Sequence, residues 1–224
     1  MRGSRLERGY FFMNLKHPQK ENIRAMAFFD GQNLFHTAKS TFNHEHPNYD
    51  PVKLAELVCQ AQSWRLQETR FYTGVPDSKD NAFWNHFWTI KLGVLKRQKN
   101  VFVFSRPLRY RPRTITLPTG KTETLLIGEE KGIDVRIAID VIRLAHKQVY
   151  DVALIFSQDQ DLSEAAEEVR AIAKEQNRWI KVACAFPFGQ GNKNDRGIDK
   201  TDWIKIDREL YDRCLDLRDY RPKK

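Results

Sequence analysis

Val152-Ala-Leu-Ile-Phe156 is five apolar residues in a row, stopped at once by Ser157-Gln158-Asp159-Gln160-Asp161, and Ala25-Met-Ala-Phe-Phe29 stops in the same way at Asp30-Gly31. Apolar runs of this length, ended by turn-forming residues, suit strands buried on both faces. Such strands are typically parallel, and parallel strands must be joined by crossovers, usually helical. The intervening sequence has that character. Pro51 can open a helix whose apolar face is Val52, Leu54, Ala55, Leu57, Val58 and Ala61, running to about Trp64. Phe83, Phe87, Ile90, Val94 and Leu95 recur at helical spacing behind Asp77 or Ser78 as a cap. Ile133, Ile137, Val141 and Leu144 define a third helix to about Gln148, and Asp161 to Gln176 a fourth. Phe71 to Val75, Val101 to Phe104, Lys181 to Phe186 and Trp203 to Ile206 complete the strands. The class is therefore α/β, with a mainly parallel central sheet covered on both faces.

One segment breaks the alternation. Arg109 to Leu117 reads as a strand with Tyr110, Ile115 and Leu117 among basic and polar residues, and Pro118-Thr119-Gly120 separates it from Glu123 to Ile127. This predicts a β-hairpin inserted over about residues 106–128. Residues 1–23 are polar and aperiodic, and are expected to form a flexible extension ahead of a domain over 24–207. Residues 208–224 are expected to add a short helix and a basic tail. At 224 residues the chain is long enough to bury one core without disulfides.

Charge is concentrated in the same region. Between Asn81 and Thr122 there is no Asp or Glu, but there are nine basic residues: Lys91, Lys96, Arg97, Lys99, Arg106, Arg109, Arg111, Arg113 and Lys121. These nine equal the whole formal net charge of +9. Spacing of two places Arg109, Arg111 and Arg113 on one face of a strand, where they can track phosphates or keep a strand edge solvated. Phe83, Trp84, Phe87, Trp88, Phe102, Phe104 and Tyr110 are interleaved. Trp84, Trp88 and Tyr110 are the candidates for stacking on unpaired bases, a contact worth about 1–3 kcal/mol per base. The phenylalanines suit the core.

Other classes are disfavoured. No apolar run approaches the roughly 20 residues that cross a bilayer, and Met1 to Phe12 lacks the apolar centre of a signal peptide. Cys59, Cys184 and Cys214 are odd in number and scattered, against a disulfide framework or zinc knuckle, and suit a reduced, cytoplasmic protein. The six histidines show no metal-ligand spacing, and there is no phosphate-binding Gly-Lys-Ser/Thr loop or nucleophile elbow.

In a parallel sheet, ligands bind beyond the carboxyl ends of the strands, where the order of connections reverses. Asp30 follows one strand, Asp159 and Asp161 follow another, and Asp134 opens the helix after Lys131-Gly132. Taken singly, Asp30 and Asp161 suit helix caps and Asp134 suits a first helical turn. Together they form a cluster that repels itself unless cations neutralise it. Magnesium, with its oxygen ligands and retained waters, is the natural partner. Such a cluster can bind a phosphodiester oxygen and activate a water.

Three segments carry a family resemblance: Phe28-Phe-Asp-Gly-Gln-Asn33, Lys131-Gly-Ile-Asp-Val135 with Asp140 downstream, and Ile155-Phe-Ser-Gln-Asp-Gln-Asp161. In order and spacing they resemble the signature segments of the NYN family of PIN-like ribonucleases, over about Ala25 to Ile206 if Thr201 to Ile206 is the closing element. Gln158 and Leu162 stand where the family has Gly and Phe. The resemblance implies a three-layer α/β/α PIN-like fold and a magnesium- or manganese-dependent endoribonuclease. A metal-activated water held by the Asp cluster would cut RNA to leave a 5′-phosphate and a 3′-hydroxyl. By motif position Asp30, Asp134 and Asp159 are the principal metal-binding and catalytic carboxylates and Asp161 the fourth, with Asn33 and Ser157 orienting them. Asp140 either supports the ligands or makes a structural hydrogen bond.

Single-stranded or looped RNA is the expected partner, held by Arg106, Arg109, Arg111 and Arg113 with Lys96, Arg97 and Lys131; no membrane is expected, and a homodimer is compatible. The rival readings are an RNA-binding regulatory protein without turnover on the same fold, and a structure-specific DNA nuclease.

Overall fold

The computed structural model describes residues 22–116, 120–190 and 194–223. The expected extension over residues 1–23 therefore lies almost wholly outside the described residues, as do Leu117 to Thr119 of the hairpin turn. The order of elements is β1 (Arg24–Asp30), α1 (Gly31–Phe42), α2 (Pro51–Ala61), β2 (Arg65–Val75), α3 (Ala82–Leu95), β3 (Val101–Pro107), β4 (Arg109–Thr116) and β5 (Thr122–Glu129). These are followed by α4 (Ile133–His146), β6 (Val152–Phe156), α5 (Ser163–Glu175), β7 (Lys181–Pro187), β8 (Asp202–Ile206) and α6 (Arg208–Asp212).

Six strands form one wholly parallel sheet in the order β3-β2-β1-β6-β7-β8, and β4 and β5 form a separate antiparallel pair. The chain builds outward from β1 through β2 to β3, then returns through the hairpin and α4 to place β6 on the other side of β1. The order of connections reverses between β1 and β6.

Period-two alternation sorts the strand side chains into two cores. Ala25, Ala27 and Phe29 of β1 and Val152, Leu154 and Phe156 of β6 face one side, with Leu54, Val58, Phe87 and Trp88. Met26, Phe28, Ala153 and Ile155 face the other, with Ile137, Val141, Ala166 and Val169. Helices α1, α2, α3 and α6 thus cover one face and α4 and α5 the other, giving the three-layer α/β/α arrangement of a PIN-like fold. Phe29 and Phe156 stack across the β1–β6 boundary with centroids 3.9 Å apart. Each fully buried side chain of this size contributes about 1.5–3 kcal/mol.

The expected elements are present, with several corrections. A helix, α1, stands where the sequence suggests only a turn after Asp30: it starts directly at Gly31, capped by Asp30, with Leu34, Phe35 and Ala38 buried. Helix α2 ends at Ala61 instead of Trp64, because β2 already begins at Arg65. Helix α3 is capped by Asn81, whose side chain accepts the Trp84 N–H at 3.1 Å, and not by Asp77 or Ser78. The hairpin strands occupy 109–116 and 122–129, with β3 extending to Pro107. The segment after α6 packs back on the fold, with Cys214 and Tyr220 buried.

Candidate functional site

Asp30 ends β1 and caps α1, its Oδ1 accepting the Asn33 N–H at 3.0 Å. From the neighbouring strand Ser157 Oγ donates to Asp30 Oδ2 at 3.4 Å, and Asn33 Oδ1 accepts the Gln158 N–H at 2.9 Å. Asp159 follows, its N–H donating to Ser157 Oγ at 3.1 Å. Asp134 enters from the first turn of α4, after Gly132 at φ 72°, a left-handed conformation that disfavours a side chain. A Cβ on Gly132 would also meet the Arg106 guanidinium at 2.9 Å.

These elements enclose a pocket of about 320 Å³ lined by Asp30, Asn33, Glu130, Lys131, Gly132, Asp134 and Asp159. It lies at the β1–β6 reversal, where this class of sheet binds ligands. Of the four expected carboxylates, Asp30, Asp134 and Asp159 line it. Asp161 does not: it sits exposed on a short 3-10 turn, and its N–H donates to Asp159 Oδ1 at 3.1 Å.

Glu130 takes the fourth place, and sequence reasoning missed it. It sits at the return end of the hairpin, where its carboxylate accepts the Gly74 N–H at the end of β2. A Cβ on Gly74 would lie 2.5 Å from a Leu108 methyl and 2.6 Å from the Glu130 carboxylate, so both side chains would have to shift to admit one. The only signal was its place immediately before Lys131-Gly132-Ile133-Asp134.

The electrostatics follow from this crowding. Burial raises the Asp30 carboxyl to about 6, with Asp159 and Asp134 adding repulsion and the Asn33 and Ser157 hydrogen bonds opposing it. Burial, Asp30 and Asp134 raise Glu130 to about 8, against the Gly74 hydrogen bond. Each is a site at which a cation can replace a proton. The donor set is oxygen only, which suits a hard divalent cation. Among the described residues no three His, Cys, Asp or Glu side chains form a ready-made coordination group. The fit is thus to a hydrated cation held by one or two carboxylates, the mode magnesium favours, and not to a closed cage.

Gln158, where the resembling family has Gly, keeps its backbone out of the left-handed region and needs no glycine. Its buried side chain instead donates to the carbonyls of Asn194 and Arg196 at 2.9 and 2.7 Å, tying down the loop after β7.

Asp140 lies apart from the pocket lining. It is fully buried on α4 and accepts from Tyr72 Oη at 2.9 Å, Arg70 at 3.2 Å, Arg136 at 3.2 Å and Arg143 at 3.1 Å. The structural alternative describes its surroundings.

The basic residues divide. Lys131 lines the acidic pocket, 3.5 Å from Glu129. Arg106 lies over the Phe104 ring at 5.2 Å, with its guanidinium against Gly132. Arg109, Arg111 and Arg113 are exposed on β4, but Arg113 is bonded to Glu129 at 2.7 Å and Arg111 lies 4.0 Å from it. Lys96 lines a different cavity, beside β3, and Arg97 is exposed past the end of α3.

Lys91 leaves the basic tract altogether: it is wholly buried, donates to the Tyr49 carbonyl at 2.6 Å, and burial lowers it to about 8. Trp88 is buried too, and the Tyr110 hydroxyl accepts the Asp77 N–H at 2.8 Å, joining the hairpin to the body. Neither is an exposed stacking platform; Trp84 is half-buried.

The three cysteines are free and buried. No helix among the described residues is long and apolar enough to cross a membrane.

The sequence matches a family model described as NYN domain over residues 24–181, from β1 to the first residue of β7, with all four pocket carboxylates inside the match. Among solved structures the fold is similar to the crystal structure of a protein of unknown function from Vibrio parahaemolyticus RIMD 2210633. That structure is 19% identical, with a TM-score of 0.51, and the match covers 86% of this chain and 98% of that one. At this identity the likeness concerns the fold alone. No curated protein matches the chain.

Proposed function

The chain belongs to the NYN domain family, whose domain has a nuclease-like fold, and on that premise we propose that it is a metal-dependent endoribonuclease acting on single-stranded or looped RNA. The observation that carries the reading is the gathering of Asp30, Glu130, Asp134 and Asp159 in one pocket at the reversal of the sheet, with two of the four raised toward neutrality.

One or two of these carboxylates would hold a hydrated magnesium or manganese ion, with the others facing its waters. When bound there, the ion supplies Lewis-acid polarisation of a phosphodiester oxygen and lowers the pKa of water. The rest falls to the chain. Asn33 and Ser157 fix the Asp30 carboxylate between β1 and β6, so it need not reorganise when substrate arrives. Lys131 on the rim of the pocket, and Arg106 against Gly132, offer positive charge to the phosphates on either side of the scissile one. Arg109 and Arg111 extend that path along the hairpin.

The test is cleavage of end-labelled RNA with magnesium or manganese by wild type, Asp30→Asn and Asp159→Asn. Each substitution is expected to reduce cleavage by roughly hundredfold or more, beyond the 10–100-fold typical of residues that merely support metal ligands. Undiminished cleavage by both would overturn the assignment.

A second reading, RNA binding without turnover, rests on the exposed Arg109 and Arg111 of β4, which can hold phosphates without any metal. It predicts tight, salt-sensitive binding and no cleavage with any divalent cation.

A further inference from the structure

Beside the acidic pocket lies a second cavity, of about 350 Å³. Neighbouring residues line the two: Gln32 the second and Asn33 the first, both from the first turn of α1. On the hairpin's return strand Gly128 lines the second cavity, two residues before Glu130 in the first. The same residue is held from both sides: Gln32 Nε2 donates to the Gly74 carbonyl at 3.2 Å, while the Glu130 carboxylate accepts the Gly74 N–H. A strand with a phosphate at the acidic pocket would therefore carry a neighbouring nucleotide past the mouth of the second cavity.

The chemistry of this cavity is different. Its walls include the half-buried Trp84 with the buried Phe35 and Trp88 behind it; Phe35 and Trp84 meet at 55° with centroids 5.7 Å apart, forming an aromatic corner in which Trp84 is the most accessible ring. His36, also in the lining, lies 5.2 Å from Phe35, and exposed Lys39 adds a cation. The volume is at the lower end of the 300–1,000 Å³ range of small-ligand sites, and apolar walls with a few polar groups are the usual make-up of one. A flat aromatic ligand attached to an anionic chain satisfies the walls and the lysine together. Unpaired bases splayed from a strand are recognised in this way, by stacking on aromatic side chains.

We propose that this cavity is a nucleobase subsite, taking one unpaired base of the RNA strand whose phosphodiester lies at the acidic pocket. The assignment of the strand rests on the ribonuclease reading above; the capacity to hold a base does not. The consequence is a fixed cleavage register: the bond that is cut stands at a constant distance from one base that must be out of a duplex.

Two measurements separate the two ideas. Calorimetric titration of the full chain with each of the four nucleoside 5′-monophosphates, in EDTA, reads the subsite without turnover. Saturable binding of at least one is expected, weakened about tenfold by Trp84→Leu. His36→Ala, an exposed position that leaves the core intact, is expected to weaken it severalfold. No saturable binding of any of the four, or an unchanged Kd in both variants, overturns the subsite.

In the second measurement, a stem-loop RNA is cut by wild type with manganese, and abasic nucleotides are then placed one at a time around the mapped cut. Loss of about tenfold in cleavage at a single position supports the register, and equal cleavage for every abasic position overturns it. Absence of any cutting counts against the ribonuclease reading alone, and the titration still decides the subsite.

Discussion

The side-chain oxygen of Asn33 accepts the backbone N–H of Gln158 at 2.9 Å, across 125 residues of sequence. With its own N–H on Asp30, Asn33 ties the end of β1 to the end of β6 at the place where the carboxylates gather. Replacing it with Ala leaves a partly buried N–H without its acceptor. Asn33→Ala is expected to lose about 1–3 kcal/mol in urea unfolding. The backbone N–H that caps Asp30 survives the substitution, but the tie between the end of β1 and the end of β6 does not, so Asp30 and Asp159 are held less firmly together and more cleavage should be lost at low magnesium than at high. Unchanged stability would show that water takes over the amide and that the tie is weak.

The pH dependence of stability has a definite sign. Asp30 and Glu130 are raised in the folded protein, to about 6 and about 8, above the ordinary values of 3.8 and 4.5. Their favourable contribution is full below those ordinary values and is lost as pH rises through about 6 and then about 8. In EDTA the Tm is expected to fall across this window, with magnesium or manganese restoring it most at the alkaline end, since a ligand of the folded state alone stabilises it. Glu130→Gln should flatten the curve above about pH 6. A variant whose curve runs parallel to wild type would remove Glu130 from the cluster.

Asp140 is expected to matter for stability and not for the metal. It is the shared acceptor of Tyr72, Arg70, Arg136 and Arg143, and the Arg70 side chain is itself largely buried. Asp140→Ala leaves Arg70 paired with Glu68 but removes the buried acceptor of Tyr72 Oη and of one edge of the Arg70 guanidinium, a loss of about 1–3 kcal/mol. Manganese affinity of the remaining folded protein, measured by titration, should stay within a few-fold of wild type. A tenfold fall in that affinity with stability intact would reverse the assignment and place Asp140 behind the metal ligands.

The hairpin arginines are not equivalent. Arg113 is bonded to Glu129, whereas Arg109 has no ion pair among the described residues. For RNA binding measured against salt, Arg109→Ala is expected to lower the log–log slope by about 1, the value of one phosphate contact. Arg113→Ala should lower it by less, because Glu129 already offsets part of the charge. Equal slopes for all three proteins would mean that the strand does not run along β4.

Much of this architecture was legible in the chain. Val152 to Phe156 and Ala25 to Phe29 are short, wholly apolar and ended by acids, and a parallel strand buried on both faces is the natural fate of such runs. Asp30 and Asp159 could be placed near one sheet edge for the same reason: residues at the carboxyl ends of parallel strands share that edge, and Asp134 joins them because it opens the helix that leads from that edge to the next parallel strand. The hairpin was legible from its alternation around Pro118-Thr119-Gly120, although its strands begin and end a few residues from the expected limits.

Other features depended on contacts between distant segments. Lys91 reads as one of nine basic residues in a tract, but its helix face turns it onto the Tyr49 carbonyl and between the Tyr49 and Tyr220 rings, each 5.1 Å away. Asp161 reads like Asp159 two residues earlier, yet the short turn between them directs one into the pocket and leaves the other in solvent. Glu130 carries no local signal, since only the return of the hairpin onto β2 brings it to Gly74 and beside Asp30. Periodicity and run length act over a few residues, so the chain's own pattern could specify the buried strand cores and the edge at which acids would collect. Which acids meet, and which cation is lost to the core, was decided by the pairing order β3-β2-β1-β6-β7-β8 and the docking of the hairpin, because electrostatic coupling and burial depend on distance in space and not on distance along the chain.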